Sequence, residues 1–151
     1  RLARVRSLQQ RMARTLTALV ASMCGGLAFT PIPVADIGPI TSLQASLVIA
    51  IAYIGGRELS RESAAEFVGA LGVNLGVGMA LREAARAAVK LIPGAGGLVS
   101  ASVAFAGTWA VGAAAEAYFI DQKNMEAAKR RWREVKREGE QAHERDRADS
   151  D

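Results

Sequence analysis

The feature that most constrains this chain is the absence of charge over long stretches of its middle. Residues 15–56 contain one charged residue, Asp36, and residues 91–115 contain none. Charged side chains are concentrated in the first 14 residues and after residue 120. Because an uncharged, apolar segment gains little from contact with water, we expect both stretches to be buried in protein or in lipid.

These uncharged segments are predicted to be helical rather than extended. Aromatic residues make up only 5% of the chain, and no segment shows the sustained two-residue alternation of a half-buried strand. We therefore predict an all-α fold of about four helices, arranged as two helical hairpins with long first and last helices and no sheet. Proline and glycine residues predict breaks at residues 31–33, 55–56 and 93–97.

The length of 151 residues is sufficient for one domain. We predict a single helical domain over residues 1–143, with an apolar core region at about 15–120. Residues 121–143 are predicted to continue the fourth helix, and 144–151 to form a disordered tail. The residues expected to be buried, by protein or by lipid, are Leu43, Leu47, Ile51, Leu71, Leu75, Val103 and Phe105.

Two helical seams suggest how the ends of the chain pack. Apolar residues of the first helix recur every three or four positions, and a similar seam runs through the charged tail and includes Trp132. Since a lone amphipathic helix rarely holds in water, we predict that the two pair antiparallel, with Trp132 near residues 2–9. The seam of the first helix comprises Leu2, Val5, Gln9, Met12, Leu16, Leu19 and Met23.

The residue inventory argues against an enzyme, a cofactor site or a metal site. One cysteine, Cys24, and one histidine, His143, are too few for a multi-ligand metal site or a disulfide framework. The chain also lacks the GxxxxGK[ST] segment of a phosphate-binding loop. No nucleophile, base and orienting group can be assembled from it, so we predict a non-enzymatic protein.

The basic N-terminal arm is the predicted contact with a membrane surface or a partner. It contains five arginines and no acid, and an apolar run follows directly. Nucleic-acid recognition usually adds aromatic residues or a wider basic face, so this arrangement fits anionic lipid headgroups better. The five residues are Arg1, Arg4, Arg6, Arg11 and Arg14.

Two further groups of residues have both a functional and a structural interpretation. Asp36 is either a helix cap or a buried carboxylate that pairs with a partner. The Gly72-x-x-x-Gly76 motif and Gly112 predict close helix crossings, either in a bilayer or oligomer seam or inside a soluble bundle. The pattern alone favours neither setting, so a homo-oligomer also remains a possible arrangement.

Several motifs, in order, resemble the YcjF-like domain of unknown function. They are PIPVAD at residues 31–36, the stretch 43–55, IPGAG at residues 92–96, and then Thr108, Gly112, Tyr118 and Phe119. In that family the domain occurs C-terminal to Era-like small GTPases and in inner-membrane proteins of the YcjF type. The resemblance covers about residues 15–119 and implies an all-helical, membrane-associated domain that anchors or couples to a GTPase. The G domain itself is not among these residues.

Two uncharged segments are long enough to be considered as membrane spans, residues 37–54 and 91–115. Two spans would place both charged tails on one side, and the arginines would make that side cytoplasmic. With the resemblance, this implies the bacterial inner membrane. The alternative is a cytoplasmic or peripheral bundle that serves protein–protein interaction or oligomerisation. A membrane-perturbing helical hairpin is a third possibility.

Overall fold

The computed structural model describes residues 2–29, 37–72 and 96–148. Within these residues the fold is all-α, with about 90% of the residues helical and no strand. The all-α prediction is confirmed, but the described chain has five helices rather than about four. The helices are α1 (Leu2–Phe29), α2 (Ile37–Ile54), α3 (Arg61–Gly72), α4 (Gly96–Ala115), which continues as a π-helical segment (Glu116–Ile120), and α5 (Met125–Ala148).

The predicted break at residues 55–56 is confirmed. Gly56 has a φ of +80°, and its N–H donates to the carbonyl oxygen of Tyr53 at 2.9 Å. The N–H of Arg57 reaches back to the carbonyl oxygen of Ala52, also at 2.9 Å. These two bonds form a Schellman motif, which satisfies carbonyls that the last turn of α2 leaves unpaired.

A side-chain cap begins α3. The N–H of Ser63 donates to Oγ of Ser60 at 3.2 Å, as expected of a serine at the N-cap. Hydrogen bonds from its own backbone N–H and from Ser60 lower the pKa of Glu62, which stays ionised near the positive end of the helix. The predicted extension of this helix beyond Gly72, including Leu75, lies outside the described residues.

The predicted continuation of the fourth helix into the charged tail is wrong. In the π-helical segment the N–H of Asp121 donates to the carbonyl oxygen of Glu116 at 3.0 Å. Gln122 then takes a positive φ of 54°, and Oδ1 of Asn124 accepts from the N–H of Ala127 at 2.9 Å. The chain thus stops one helix and caps another within four residues. The resulting α5 continues to Ala148, past the predicted start of the tail at residue 144.

The central helix of the arrangement is α4. Residues along α1 meet α4 in reverse order, so the two helices are antiparallel, with Thr17 against Gly112 and Gly25 beside Ala101. The α2 helix runs parallel to α4, since Nε2 of Gln44 donates to Oγ1 of Thr108 at 3.1 Å and the C-terminal ends of both helices also meet. After the turn, α5 returns along α4, while α3 packs against α2 and α5.

The predicted antiparallel pairing of the first helix with the charged tail is therefore wrong. Both α1 and α5 pack antiparallel to α4, so they run in the same direction as each other. Trp132 packs against the core and lines a small cavity with Leu71 of α3, instead of meeting the start of α1. The turn after the π-helical segment reverses the direction of the chain. The predicted pairing assumed that the tail continues in the direction of α4.

The core lies between α2, α3, the end of α4 and α5. Leu47, Ile51 and Leu71 are buried as predicted, and the Phe67 ring lies 5.3 Å from that of Phe119, centroid to centroid. The other predicted core residues differ: Leu43 is half-buried, while Val103 and Phe105 are 44% and 40% exposed. The protein itself therefore does not bury the first half of α4 completely.

Candidate functional site

The face of α1 that packs on α4 consists of small residues. Ala13, Thr17, Ala21 and Cys24 are all buried, at most 4% exposed. A Cβ atom on Gly112 would overlap the side chain of Thr17, so α1 and α4 approach as closely as a glycine allows. This contact is intramolecular helix packing of the kind that small residues permit.

The structure treats the three glycines and the one carboxylate proposed from the sequence differently. Gly112 is a helix-packing residue, and its neighbour is Thr17 of α1. Gly72 is the last described residue of α3, and Gly76 lies outside the described residues. Asp36 also lies outside them.

A small polar cluster is buried where α1, α2 and α4 meet. Thr108 is fully buried, accepts a hydrogen bond from Gln44 and bonds with the thiol of Cys24. Burial raises the pKa of the Cys24 thiol, against the smaller opposing effect of the Thr108 hydrogen bond. Because a thiol with a raised pKa is protonated near neutral pH, Cys24 lacks the thiolate that a nucleophile requires.

The C-terminal ends of α2 and of the π-helical segment lie against each other. A Cβ atom on Gly55 would be 2.7 Å from the carbonyl oxygen of Phe119, so the contact requires a glycine. The last carbonyls of both helices lack partners within their own helix and carry partial negative charge. Two side chains of α1 donate to them: Nε2 of Gln9 to the oxygen of Ile54 at 2.6 Å, and Nη2 of Arg6 to that of Ile120 at 3.2 Å.

Ion pairs strengthen the contact between α1 and the end of α4. The Arg14 guanidinium binds the Glu116 carboxylate, with 3.2 Å between Nη2 and Oε1. Asp121 lies 3.6 Å from Nε of Arg6 and accepts a hydrogen bond from Nε2 of Gln10 at 3.0 Å. Polar side chains in the first half of α1 thus bind the ends of α2 and α4. We call these four side chains, Arg6, Gln9, Gln10 and Arg14, the clamp.

The five predicted membrane-contact arginines are thus not equivalent. Arg6 and Arg14 bind acids of the protein itself, whereas Arg11 is exposed and makes no ion pair with the residues that the structure describes. Arg1 lies outside the described residues, and Arg4 belongs to α1, with its side chain outside the description. Of these five arginines, Arg11 is the one whose described side chain is exposed and without an acidic partner among the described residues.

Sequence reasoning missed the roles of Gln9, Gln10 and the buried Thr17. For Gln10 and Thr17 the signal was a row of polar and small residues spaced three or four apart on α1, opposite its large apolar side chains: Gln10, Ala13, Thr17, Ala21 and Cys24. Glutamine is tolerated on exposed helix faces and in seams alike. Its role as a donor to a helix end therefore becomes visible only when the neighbouring carbonyls are in place.

We expect the Arg14–Glu116 pair to contribute little to stability. Arg14→Gln should lower the free energy of unfolding by about 0.3–1 kcal/mol, because the Arg14 side chain is 66% exposed and water screens the pair. Urea denaturation in a double-mutant cycle with Glu116→Gln measures the coupling between the two residues. Arg11→Gln is the control and should have no such coupling; equal coupling would contradict a specific pair.

The opposite face of α1 is apolar, and the described residues leave it uncovered. Six large side chains on it are between 41% and 59% exposed, while Gln9 and Leu16 of the predicted seam lie half-buried at its edge. We call this surface the α1 apolar face. Its members are Val5, Leu8, Met12, Leu19, Met23 and Leu27.

One helix in the described part of the chain is long and apolar enough to cross a membrane. The segment Ala101–Ile120 meets that requirement, with half of it buried inside the protein, while the apolar part of α2, Pro39–Ile54, is shorter. Of the two predicted spans, residues 37–54 form α2, whose apolar part is shorter than the usual span of about 20 residues. The other, residues 91–115, is described from Gly96 onward and overlaps the Ala101–Ile120 segment. Because α1, α2 and α5 surround α4, the central helix of a soluble bundle would have the same properties.

The cavities of the described structure hold no metal cluster. Residues 2–29, 37–72 and 96–148 contain no group of three or more His, Cys, Asp or Glu side chains that could bind an ion. A cavity of about 400 Å³ is lined by Arg14, Glu116 and Asp121, which already bind one another or their neighbours on α1. A cleft of about 580 Å³ lies between α1, α4 and α5 and is lined largely by small apolar residues.

No protein-family model, curated protein or solved structure matches this chain. The resemblance to the YcjF-like domain therefore stays a prediction.

Proposed function

We propose that this protein is a non-enzymatic, membrane-associated helical domain. The observation that carries the proposal is the α1 apolar face, six large apolar side chains exposed along one helix. Soluble monomers rarely expose a large contiguous apolar surface. Where one is exposed, it usually marks a site that contacts a membrane or another protein. The same helix contains four arginines and no acid, a charge distribution that favours anionic lipid headgroups.

Vesicle flotation tests the proposal. We expect the purified protein to float with vesicles that contain phosphatidylglycerol, and to float less as the salt concentration rises, since salt screens the attraction to anionic headgroups. Vesicles of phosphatidylcholine alone are the matched control. A protein that stays at the bottom of the gradient with every vesicle composition would contradict membrane association.

The resemblance adds a GTPase partner and a location to the proposal. An Era-like G domain, in the parent chain or in a separate protein, would be held at the cytoplasmic face of the bacterial inner membrane. The support is the order of the motifs in residues 15–119. Finding GxxxxGK[ST] upstream in the same gene or in an adjacent one would favour the coupling, and vesicle recruitment of that GTPase by this domain would test it.

A soluble interaction or oligomerisation domain is the second candidate. The observation that favours it is the burial of half of the Ala101–Ile120 segment inside the protein, which gives the bundle a core without lipid. In that case a second helix would cover the α1 apolar face. Sedimentation velocity without lipid or detergent would then show a stable oligomer, whereas dye release from vesicles would indicate the membrane-perturbing hairpin.

A further inference from the structure

We infer that α1 lies flat on an anionic lipid surface, with its apolar face in the interfacial layer and Arg11 at the headgroups. This inference rests on the proposed membrane association. It assigns the lipid contact to α1 and leaves α4 as the central helix of the bundle.

The spacing of the α1 apolar face suits a flat surface. Val5, Met12 and Leu19 recur every seven residues, while Leu19 follows Leu8 by eleven residues and Met23 follows Met12 by the same interval. Both intervals are close to a whole number of turns at 3.6 residues per turn, so these side chains lie on one side of α1. The α1 apolar face therefore forms a straight strip, about 33 Å long from Val5 to Leu27 at 1.5 Å per residue.

The opposite face of α1 is unavailable to lipid. Ala13, Thr17 and Ala21 are buried against the protein, and Gly112 of α4 touches Thr17. Arg6, Gln9 and Gln10 donate hydrogen bonds from the N-terminal half of α1 to the ends of α2 and α4. A helix that is attached along its length to a bundle can expose one side only, which matches a helix in the plane of the interface.

The charges on α1 favour anionic lipid over a second copy of this chain. Arg11 is exposed and follows Leu8 by three residues, so it lies at the edge of the apolar face. Residues 1–35 contain no acid. In a symmetric dimer through this face, Arg11 would lie against α1 of the other copy, which has no acid to pair with it. Phosphate headgroups supply the anions that α1 of a second copy lacks.

The first test compares variants of the full chain by flotation with phosphatidylglycerol-containing vesicles. Leu8→Glu/Leu19→Glu should reduce the lipid partition coefficient at least about tenfold, since it places two charges in the apolar face. The matched control, Ala65→Glu/Gln141→Glu, makes the same charge change at exposed positions of α3 and α5 and should reduce it far less. Circular dichroism should show both variants folded, because all four positions are exposed.

Arg11→Gln tests the electrostatic part. It should reduce partition by about fivefold on anionic vesicles and leave partition on phosphatidylcholine unchanged, since one arginine is lost from the headgroup layer. Equal losses on both kinds of vesicle would contradict a headgroup contact for Arg11.

The second test measures orientation with nitroxide labels at Leu8→Cys and at Leu19→Cys, each in a Cys24→Ala background, because a crossing helix would place the second position about 16 Å deeper than the first. Equal shallow depths at the two positions support a helix in the interface, and a large difference in depth would overturn it in favour of a crossing helix. Two other results would also overturn the inference. These are unchanged binding of Leu8→Glu/Leu19→Glu, or a wild-type dimer without lipid that this variant abolishes. Failure of the wild type to bind any vesicle would instead contradict the proposed function itself.

Discussion

Leu47→Asp should unfold the protein or leave it close to unfolding at room temperature. Leu47 of α2 is 2% exposed and lies in the hydrophobic core of the protein. An aspartate at this position would bury a carboxylate among apolar side chains. We expect a loss of about 4 kcal/mol or more in the free energy of unfolding, comparable to the whole stability of a marginal domain. Urea denaturation followed by circular dichroism measures the loss.

Ser46→Asp is the matched control for this change. Ser46 precedes Leu47 on the same helix and is exposed, so it receives the same charge in water. We expect a change within about 0.5 kcal/mol, as for most surface substitutions. Equal stability of the two variants would show that α2 is not packed as the structure has it.

Gly112→Ala should separate α1 from α4 or weaken their contact strongly. The added Cβ atom overlaps the side chain of Thr17, which is 4% exposed and has little room to move. We expect destabilisation of about 1–3 kcal/mol from overpacking, in spite of the higher helix propensity of alanine. Thermal unfolding of the full chain measures it, and Thr17→Ala should restore part of the loss because it removes the atoms nearest to the new Cβ.

Gly107→Ala is the control on the same helix. No heavy atom lies within 4 Å of a Cβ built there, so alanine should be neutral or stabilise α4 by up to about 1 kcal/mol. If both glycine variants gained stability, the close approach of α1 to Gly112 would be wrong.

These predictions bear on the proposed surface because one helix has both roles. On one side α1 places small residues against α4, and near its N-terminus polar side chains bind the ends of two other helices. The remaining side bears the α1 apolar face. A variant that loosens the inner contact, such as Gly112→Ala, would free α1 from the bundle, whereas Leu8→Glu/Leu19→Glu alters the outer face alone. Comparing lipid binding of the two variants separates the fold from the surface.

The sequence by itself determined the all-α class of the fold and the boundary between α2 and α3. The lack of charge over residues 15–56, apart from Asp36, predicts apolar helices, although Leu19, Met23 and Leu27 of this stretch are exposed in the structure. The break at Gly55–Gly56 and the start of α3 at Ser60 follow from local chemistry, since a glycine adopts positive φ and a serine hydroxyl caps backbone N–H groups. Such features depend on a few neighbouring residues, and a sequence contains that information completely.

At the end of α4 the sequence contains one signal for a continuing helix and another for a break. The helical seam of the tail begins immediately after the turn, at Met125, and its periodicity conceals the reversal of the chain. Asparagine at position 124 is a residue type that can cap a helix, but nothing in the sequence indicates the positive φ of Gln122. Asparagine also occurs inside helices, so the residue alone does not decide between a cap and a continuing helix.

Only the tertiary structure decided which face of α1 is buried. Hydrophobicity alone predicts that Val5, Met12 and Leu19 are buried and gives no reason to bury Ala13 and Thr17. In the structure Ala13 and Thr17 are buried, and the three large side chains are exposed. The reason is distance: Gly112 lets α4 approach so closely that only small side chains fit between the two helices. The larger apolar side chains are therefore directed outward, and this choice depends on a partner helix almost a hundred residues away in the chain.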